Sequence, residues 1–266
     1  MKKEKAGLVL SGGAALGAIE LGILSVLEQK YEFDFFAGTS VGSLIIAFLN
    51  SGKTASEIFE IFNTKTAKET LTDFSASGFG MIKGDNFLNF LKKEFGTKKI
   101  SEFHFPMEIV TTDFSNGDRV DLNSGSTAEA IRASCGIPIF FQPYFYTTQK
   151  RWLVDGGLSQ NFPIDIALKK YTGSKIIGIN VGTFIDESID FSGKNPLATV
   201  KNLKPLIERT IRIMMRNQHA DFSDNRAYIF APDLKDFSPL SIKQKNLKAM
   251  YVYGQKFAKK ELLKLK

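Results

Sequence analysis

The sequence predicts a three-layer α/β/α fold around a mostly parallel central sheet. Three observations carry this. Short apolar runs alternate with amphipathic stretches along the chain, the pattern of strands crossed over by helices. Glycine turns separate the first two such pairs. Apolar residues make up 43% of the 266 residues, enough for a substantial core.

The elements follow in order. "KAGLVLS" reads as a buried strand ending in glycines. In "GGAALGAIELGILSVLEQK", Ile19, Gly22, Ile23, Val26 and Leu27 recur at helical spacing. "FDFFAGTS" and "VGSLIIAFLNSG" repeat strand, turn and helix, with Gly52 as the stop. "ASEIFEIFNTKTAKET" predicts a third helix and "GDNFLNFLKKEFG" an amphipathic one. Between them, 72–84 is a connection rich in Gly, Ser and Phe, and the composition of about 72–95 invites the idea of a lid. "MEIVTTDF", "SNGD" and "RVDLNSG" read as strand, turn and strand. "STAEAIRASCG" reads as a helix capped by Ser126 or Thr127. "KRWLVDGG" is a strand, "PIDIALKKYTG" a helix and "KIIGINVG" another buried strand. The stretch from Asp186 to Pro196 reads as a loop, "LKPLIERTIRIMMRNQHADF" as a long helix, and the chain from Ser241 as a basic helical tail. One domain is expected over 1–266, with its core at about 7–180 and a helical C-terminal part at about 200–266.

Composition narrows the function. A single cysteine, Cys135, excludes an intramolecular disulfide and suits a reducing compartment. No apolar run reaches the ~18–20 residues of a membrane span, and no signal peptide is evident. A cytoplasmic protein, at most peripheral to a membrane, is expected. Lys and Arg number 35 against 28 Asp and Glu, a net charge of +7. That charge is compatible with an anionic membrane surface. The basic residues are scattered and no nucleic-acid module is present, so nucleic acid is not an expected partner. Oligomeric state is not legible.

Three short motifs carry chemistry. Gly38-Thr39-Ser40-Val41-Gly42 fits G-x-S-x-G between a strand and a helix. There Gly38 and Gly42 leave room for a sharp turn that presents Ser40 at a helix N-terminus. "SGGAALG" at 11–17 lacks the Gly-Lys-Ser/Thr of a P-loop and the spacing of a dinucleotide fingerprint. Its backbone N–H groups could form an oxyanion hole, or the glycines could serve close packing alone. Asp155-Gly156-Gly157 ends an apolar strand. It is a turn sequence, yet an aspartate reaching Ser40 could act as its base. Neither His104 nor His219 is well placed for a triad.

In this order the motifs resemble the patatin-like phospholipase family in its small bacterial form. The matches are "GGAALG" at 12–17, "GTSVG" at 38–42 and "DGG" at 155–157. "IRASCGIPIFFQP" at 131–143 and "VTTDFSNGDRVDLNSG" at 110–125 are also similar to family blocks. Ser11 stands where the family often has the first of three glycines. The resemblance implies Ser40 as nucleophile, Asp155 as its base without histidine, and the N–H groups of Gly12, Gly13 and Ala14 as oxyanion donors. It implies hydrolysis of phospholipid or lysophospholipid esters through an acyl-serine, with no metal and no cofactor. A catalytically silent lipid- or partner-binding relative and an acyltransferase are the alternatives.

The remaining candidates read as structural: Asp113 in a hairpin turn, Asp165 at a helix start, Cys135 in packing and Arg132 in a helix-surface ion pair, with a phosphate contact as the alternative for Arg132. Arg209, Arg212 and Arg216 share a helical face. A surface helix against the core is the main reading there, and contact with anionic lipid the alternative.

Overall fold

The computed structural model describes residues 2–64, 73, 80–182, 207, 209–213 and 224–264. The expected loop at Asp186–Pro196, and His219 and Arg216, lie outside them.

The chain opens with β1 (Glu4–Leu10), α1 (Gly17–Leu27), β2 (Tyr31–Thr39), α2 (Val41–Asn50) and α3 (Ala55–Asn63). Then come α4 (Asp85–Phe95), β3 (Met107–Asp113), β4 (Arg119–Leu122) and α5 (Thr127–Ser134). β5 (Tyr144–Tyr146), β6 (Arg151–Asp155), α6 (Ile164–Lys170) and β7 (Ile176–Ile179) follow, and β8 (Ala227–Phe230) and α7 (Gln244–Lys264) close the described chain. The eight strands form one sheet in the order β5-β6-β3-β2-β1-β7-β8, with β4 paired to β3. The pairings along β3-β2-β1-β7-β8 are parallel. Those of β4, β5 and β6 are antiparallel.

The sheet separates two cores. Leu8, Leu10 and Phe36 face the larger one, with residues of α1, α2, α3 and α7. Val9, Phe35 and Ala37 face the smaller one, with Ile164, Ile166 and Ala167 of α6. This alternation is what a strand buried on both faces requires. In β2 it breaks once. Ala6 pairs with Phe33 but Gly7 with Phe35, so Asp34 is an extra residue and both Phe33 and Phe36 reach the larger core.

Local signals set several boundaries. Thr54 caps α3 by accepting from the Glu57 N–H, and the Thr54 N–H donates in return to the Glu57 carboxylate. Ser126 caps α5. The sequence expected the third helix to run on past Asn63. It ends there, and 65–72 lie outside the described residues. The C-terminal part is not all helix: β8 joins β7 in parallel and extends the sheet. The basic tail is no loose appendage either. Gly22 of α1 and Gly254 of α7 let the two helices touch backbone to backbone. A Cβ on Gly22 would collide with the Tyr251 carbonyl, and one on Gly254 with that of Ile19.

Candidate active site

The register of β3 explains how two residues 115 positions apart meet. β4 covers one edge of β3 from Ile109 to Thr112. The other edge is shared. β2 occupies its first half, ending with Thr39 opposite Val110. β6 occupies its second half, with Asp155 opposite Thr111. Because β2 runs parallel to β3 and β6 antiparallel, their C-terminal ends meet head-on. Ser40 follows Thr39 directly, and its Oγ donates to Asp155 Oδ2 at 2.7 Å. The sequence placed Asp155 at the end of a strand in a parallel sheet. The strand is antiparallel, and that is what turns its end toward Ser40.

Ser40 has φ 52° and ψ −125°, a strained conformation for a residue with a side chain. Its surroundings hold it there. A Cβ on Gly38 would strike the backbone of Gly42, and one on Gly42 the carbonyls of Leu10 and Ser11. The Ser40 N–H donates to Ser134 Oγ at 2.9 Å, and Ser134 Oγ donates to the Val110 carbonyl at 2.6 Å. Ser134 thus ties the turn to β3. It lies in a block that resembles the family, but nothing in the sequence gave this serine a role.

Asp155 is buried, and burial pushes its carboxyl up to about 7 against two opposing hydrogen bonds. These come from the Gly157 N–H to Oδ1, at 2.7 Å, and from Ser40. The Asp155 N–H donates to the Gly136 carbonyl and its own carbonyl accepts from Thr112 Oγ1. Gly156 is needed because a Cβ would meet the Val110 carbonyl. A hydroxyl held against a buried carboxylate of near-neutral pKa is the pairing that a nucleophile and its base require.

The glycine-rich loop passes over Ser40. A Cβ on Gly12 would lie 2.5 Å from Asn161 Oδ1 and 3.1 Å from Ser40 Cβ. Asn161, which sequence reading missed, grips this loop twice. Its carbonyl accepts the Gly12 N–H at 3.0 Å, and its Nδ2 donates to the Gly12 carbonyl at 3.2 Å. The Gly12 N–H, expected among the oxyanion donors, is therefore already taken. The N–H groups of Gly13 and Ala14 donate to no acceptor among the described residues. Ala14 starts a 3-10 turn with φ 47°. Ser11 donates its N–H to the Ile179 carbonyl, and its Oγ accepts from the Val181 N–H and donates to Glu20. In place of a glycine, it anchors the loop to β7 and α1.

Ser40 opens into a cavity of about 660 Å³, lined with Leu44, Ile82, Phe87, Phe141, Leu247 and further apolar residues. No Lys, Arg, Asp or Glu among the described residues lines it. Cys135 does, half-buried beside the serine. Burial, with Asp155 nearby, pushes its thiol up and keeps it protonated. Arg132 is not a surface residue. It is 2% exposed and donates to the carbonyls of Lys83, Gly84 and Gln142, with Phe141 against its guanidinium. His104 is exposed and edge-on to Phe105, and makes no hydrogen bond to Ser40 or Asp155 among the described residues. Asp113 and Asp165 pair with Arg151 and Arg119, as structural residues do. Arg212 is buried against the Phe237 carbonyl, so it adds nothing to a lipid-facing basic stripe.

A serine turn, a glycine loop and an Asp-Gly-Gly turn meeting over an apolar cavity define a class, the patatin-type α/β proteins. The family model for patatin-like phospholipase matches residues 8–168, and the chain belongs to that family. It is 31% identical over 205 residues to YqhO of Bacillus subtilis, covering 65% of this chain and 70% of that protein. It is 30% identical over 183 residues to Patatin-like phospholipase domain-containing protein 6 of Homo sapiens. That match covers 66% of this chain but only 13% of the human protein. Lysophospholipase NTE1 of Scheffersomyces stipitis is 28% identical over 194 residues, 71% of this chain and 12% of its own length. The solved structure of VipD from Legionella pneumophila is similar at a TM-score of 0.48 and 14% identity, covering 96% of this chain and 67% of that one.

Proposed function

We propose that the protein is a serine acyl hydrolase that cleaves fatty-acyl esters of phospholipids or lysophospholipids through a Ser40–Asp155 dyad. The observation that carries this is the 2.7 Å hydrogen bond between Ser40 Oγ and Asp155 Oδ2 at the floor of an apolar cavity. Family membership and the lysophospholipase named among the relatives support it.

In this reading, Asp155 takes the Ser40 proton as Oγ attacks the ester carbonyl carbon. The oxyanion accepts from the N–H groups of Gly13 and Ala14, while Asn161 holds Gly12 and so fixes the loop. Collapse of the tetrahedral intermediate breaks the ester C–O bond. Asp155 returns the proton to the leaving alcohol, and the acyl group stays on Ser40. Asp155 then deprotonates a water, which attacks the acyl-serine; the acyl C–Oγ bond breaks, Asp155 returns the proton to Ser40 Oγ, and the fatty acid leaves. The cavity takes the acyl chain. With no charged side chain in its described lining, the head group stays outside.

The test is fatty-acid release from a panel of phospholipids and lysophospholipids by the parent and by Ser40→Ala. The parent is expected to turn over, and Ser40→Ala to fall by about 10⁴-fold or more. Parent protein that binds lipid but releases no fatty acid would favour a silent binding protein. Acyl transfer to an added alcohol in preference to water would favour an acyltransferase.

A further inference from the structure

We propose that the rim of the cavity mouth docks onto an anionic phospholipid bilayer, with Ile139, Met81 and Ile242 as its apolar contacts. Ile139 is the most informative residue. It has φ 78°, where β-branched residues are outliers, yet it is 65% exposed. Little internal packing offsets that strain, so the fold holds an apolar tip in water at a cost. Its carbonyl accepts from the Met81 N–H at 3.0 Å. Met81 and Ile242 are 48% and 45% exposed, and both also line the cavity above Ser40.

The rim is rigid. Ile82 and Phe141 form a bridge, the Ile82 N–H donates to the Phe140 carbonyl, and Arg132 clamps the carbonyls of Lys83 and Gln142 together. Charge selects the occupant. Lys83 follows Met81 by two positions, and Lys243, Lys245 and Lys248 follow Ile242. All four are exposed and none makes an ion pair among the described residues; Asp73, whose carbonyl accepts from the Lys83 N–H, and Asp85 are the acidic neighbours beside Lys83, so the excess of positive charge lies with Lys243, Lys245 and Lys248. Exposed apolar tips with lysines close by in sequence, at a cavity with no charged side chain in its described lining, match the interface of an anionic bilayer. Docking there would let an acyl chain pass from the bilayer to Ser40 without crossing water. The inference deepens the function proposed above, but the binding it describes needs no turnover.

The experiment is co-sedimentation of the Ser40→Ala protein with vesicles of phosphatidylcholine, with and without phosphatidylglycerol. Binding is expected to favour the phosphatidylglycerol vesicles. Ile139→Gly suits the backbone at that position, so the variant folds, and it should weaken vesicle binding by about tenfold. Lys243→Glu with Lys245→Glu should remove the preference for phosphatidylglycerol. In protein that keeps Ser40, Ile139→Gly should leave hydrolysis of a soluble short-chain ester unchanged. Failure of the Ser40→Ala protein to sediment, or undiminished binding by Ile139→Gly, overturns the proposal. So does loss of short-chain hydrolysis in Ile139→Gly, which would place that side chain in the site itself. Vesicle binding by a parent that hydrolyses no ester would refute the hydrolase and leave the docking surface standing.

Discussion

The Asp155 carboxyl, pushed up to about 7 by burial, couples activity and stability to pH in opposite directions. A base works only when ionised. The kcat/KM for ester hydrolysis should therefore rise with pH to a plateau above about 7, falling about tenfold per pH unit below it. A flat profile from about pH 5.5 to 8 would show that another group is the base. Stability runs the other way. A carboxyl whose folded pKa lies above its unfolded value supports the fold fully below the unfolded value, near 4. That support is lost as pH rises through about 7. Asp155→Asn should consequently gain stability relative to the parent as pH rises from about 5 to about 7, by up to roughly 1.4 kcal/mol for each pH unit, and hold that gain to about pH 8. Denaturant unfolding of both proteins at about pH 5 and 8 measures it, and an equal difference at the two would contradict it. At this scale the sequence was legible where chemistry is local: Ser40 and Asp155 sit in short motifs with glycines that only tight turns explain. Ser134 and Asn161 were not. Each acts through a bond to a residue far along the chain, at 2.9 Å to Ser40 and 3.2 Å to Gly12, and no spacing announces such a bond.

Among elements, the head-on meeting of β2 and β6 on one edge of β3 brings Ser40 and Asp155 together. Alternating apolar runs revealed the strands but not this arrangement. Strand direction depends on pairing, and an antiparallel β6 has the same apolar pattern as a parallel one. β5 and β8 escaped notice because "YFY" and "AYIF" are too short to show periodicity. The helix pair α1–α7 shows the opposite case. Gly22 and Gly254 are visible in the sequence, but their contact is tertiary. Gly254→Val forces a branched side chain into the Ile19 carbonyl and should cost about 3 kcal/mol, the upper end of the usual cost of overpacking. Its denaturation midpoint should fall accordingly, and an unchanged midpoint would mean the helices do not pack this way.

At the scale of the whole molecule, the fold places an apolar cavity over Ser40, where the ends of β2 and β6 meet. Apolar walls without a charged side chain among the described residues make chain length the main determinant of binding. For soluble aryl esters, kcat/KM should grow by up to about fourfold per added methylene, from about 0.8 kcal/mol of burial each, until the cavity of about 660 Å³ is filled. A maximum at acetate would contradict an acyl-binding role. The central claim, that Ser40 attacks with Asp155 as its base, is tested most directly by fluorophosphonate labelling followed by peptide mass mapping. A single adduct on Ser40 is predicted, forming about 10²–10⁴-fold more slowly in Asp155→Asn. An adduct on another residue, or an undiminished rate in Asp155→Asn, would contradict it.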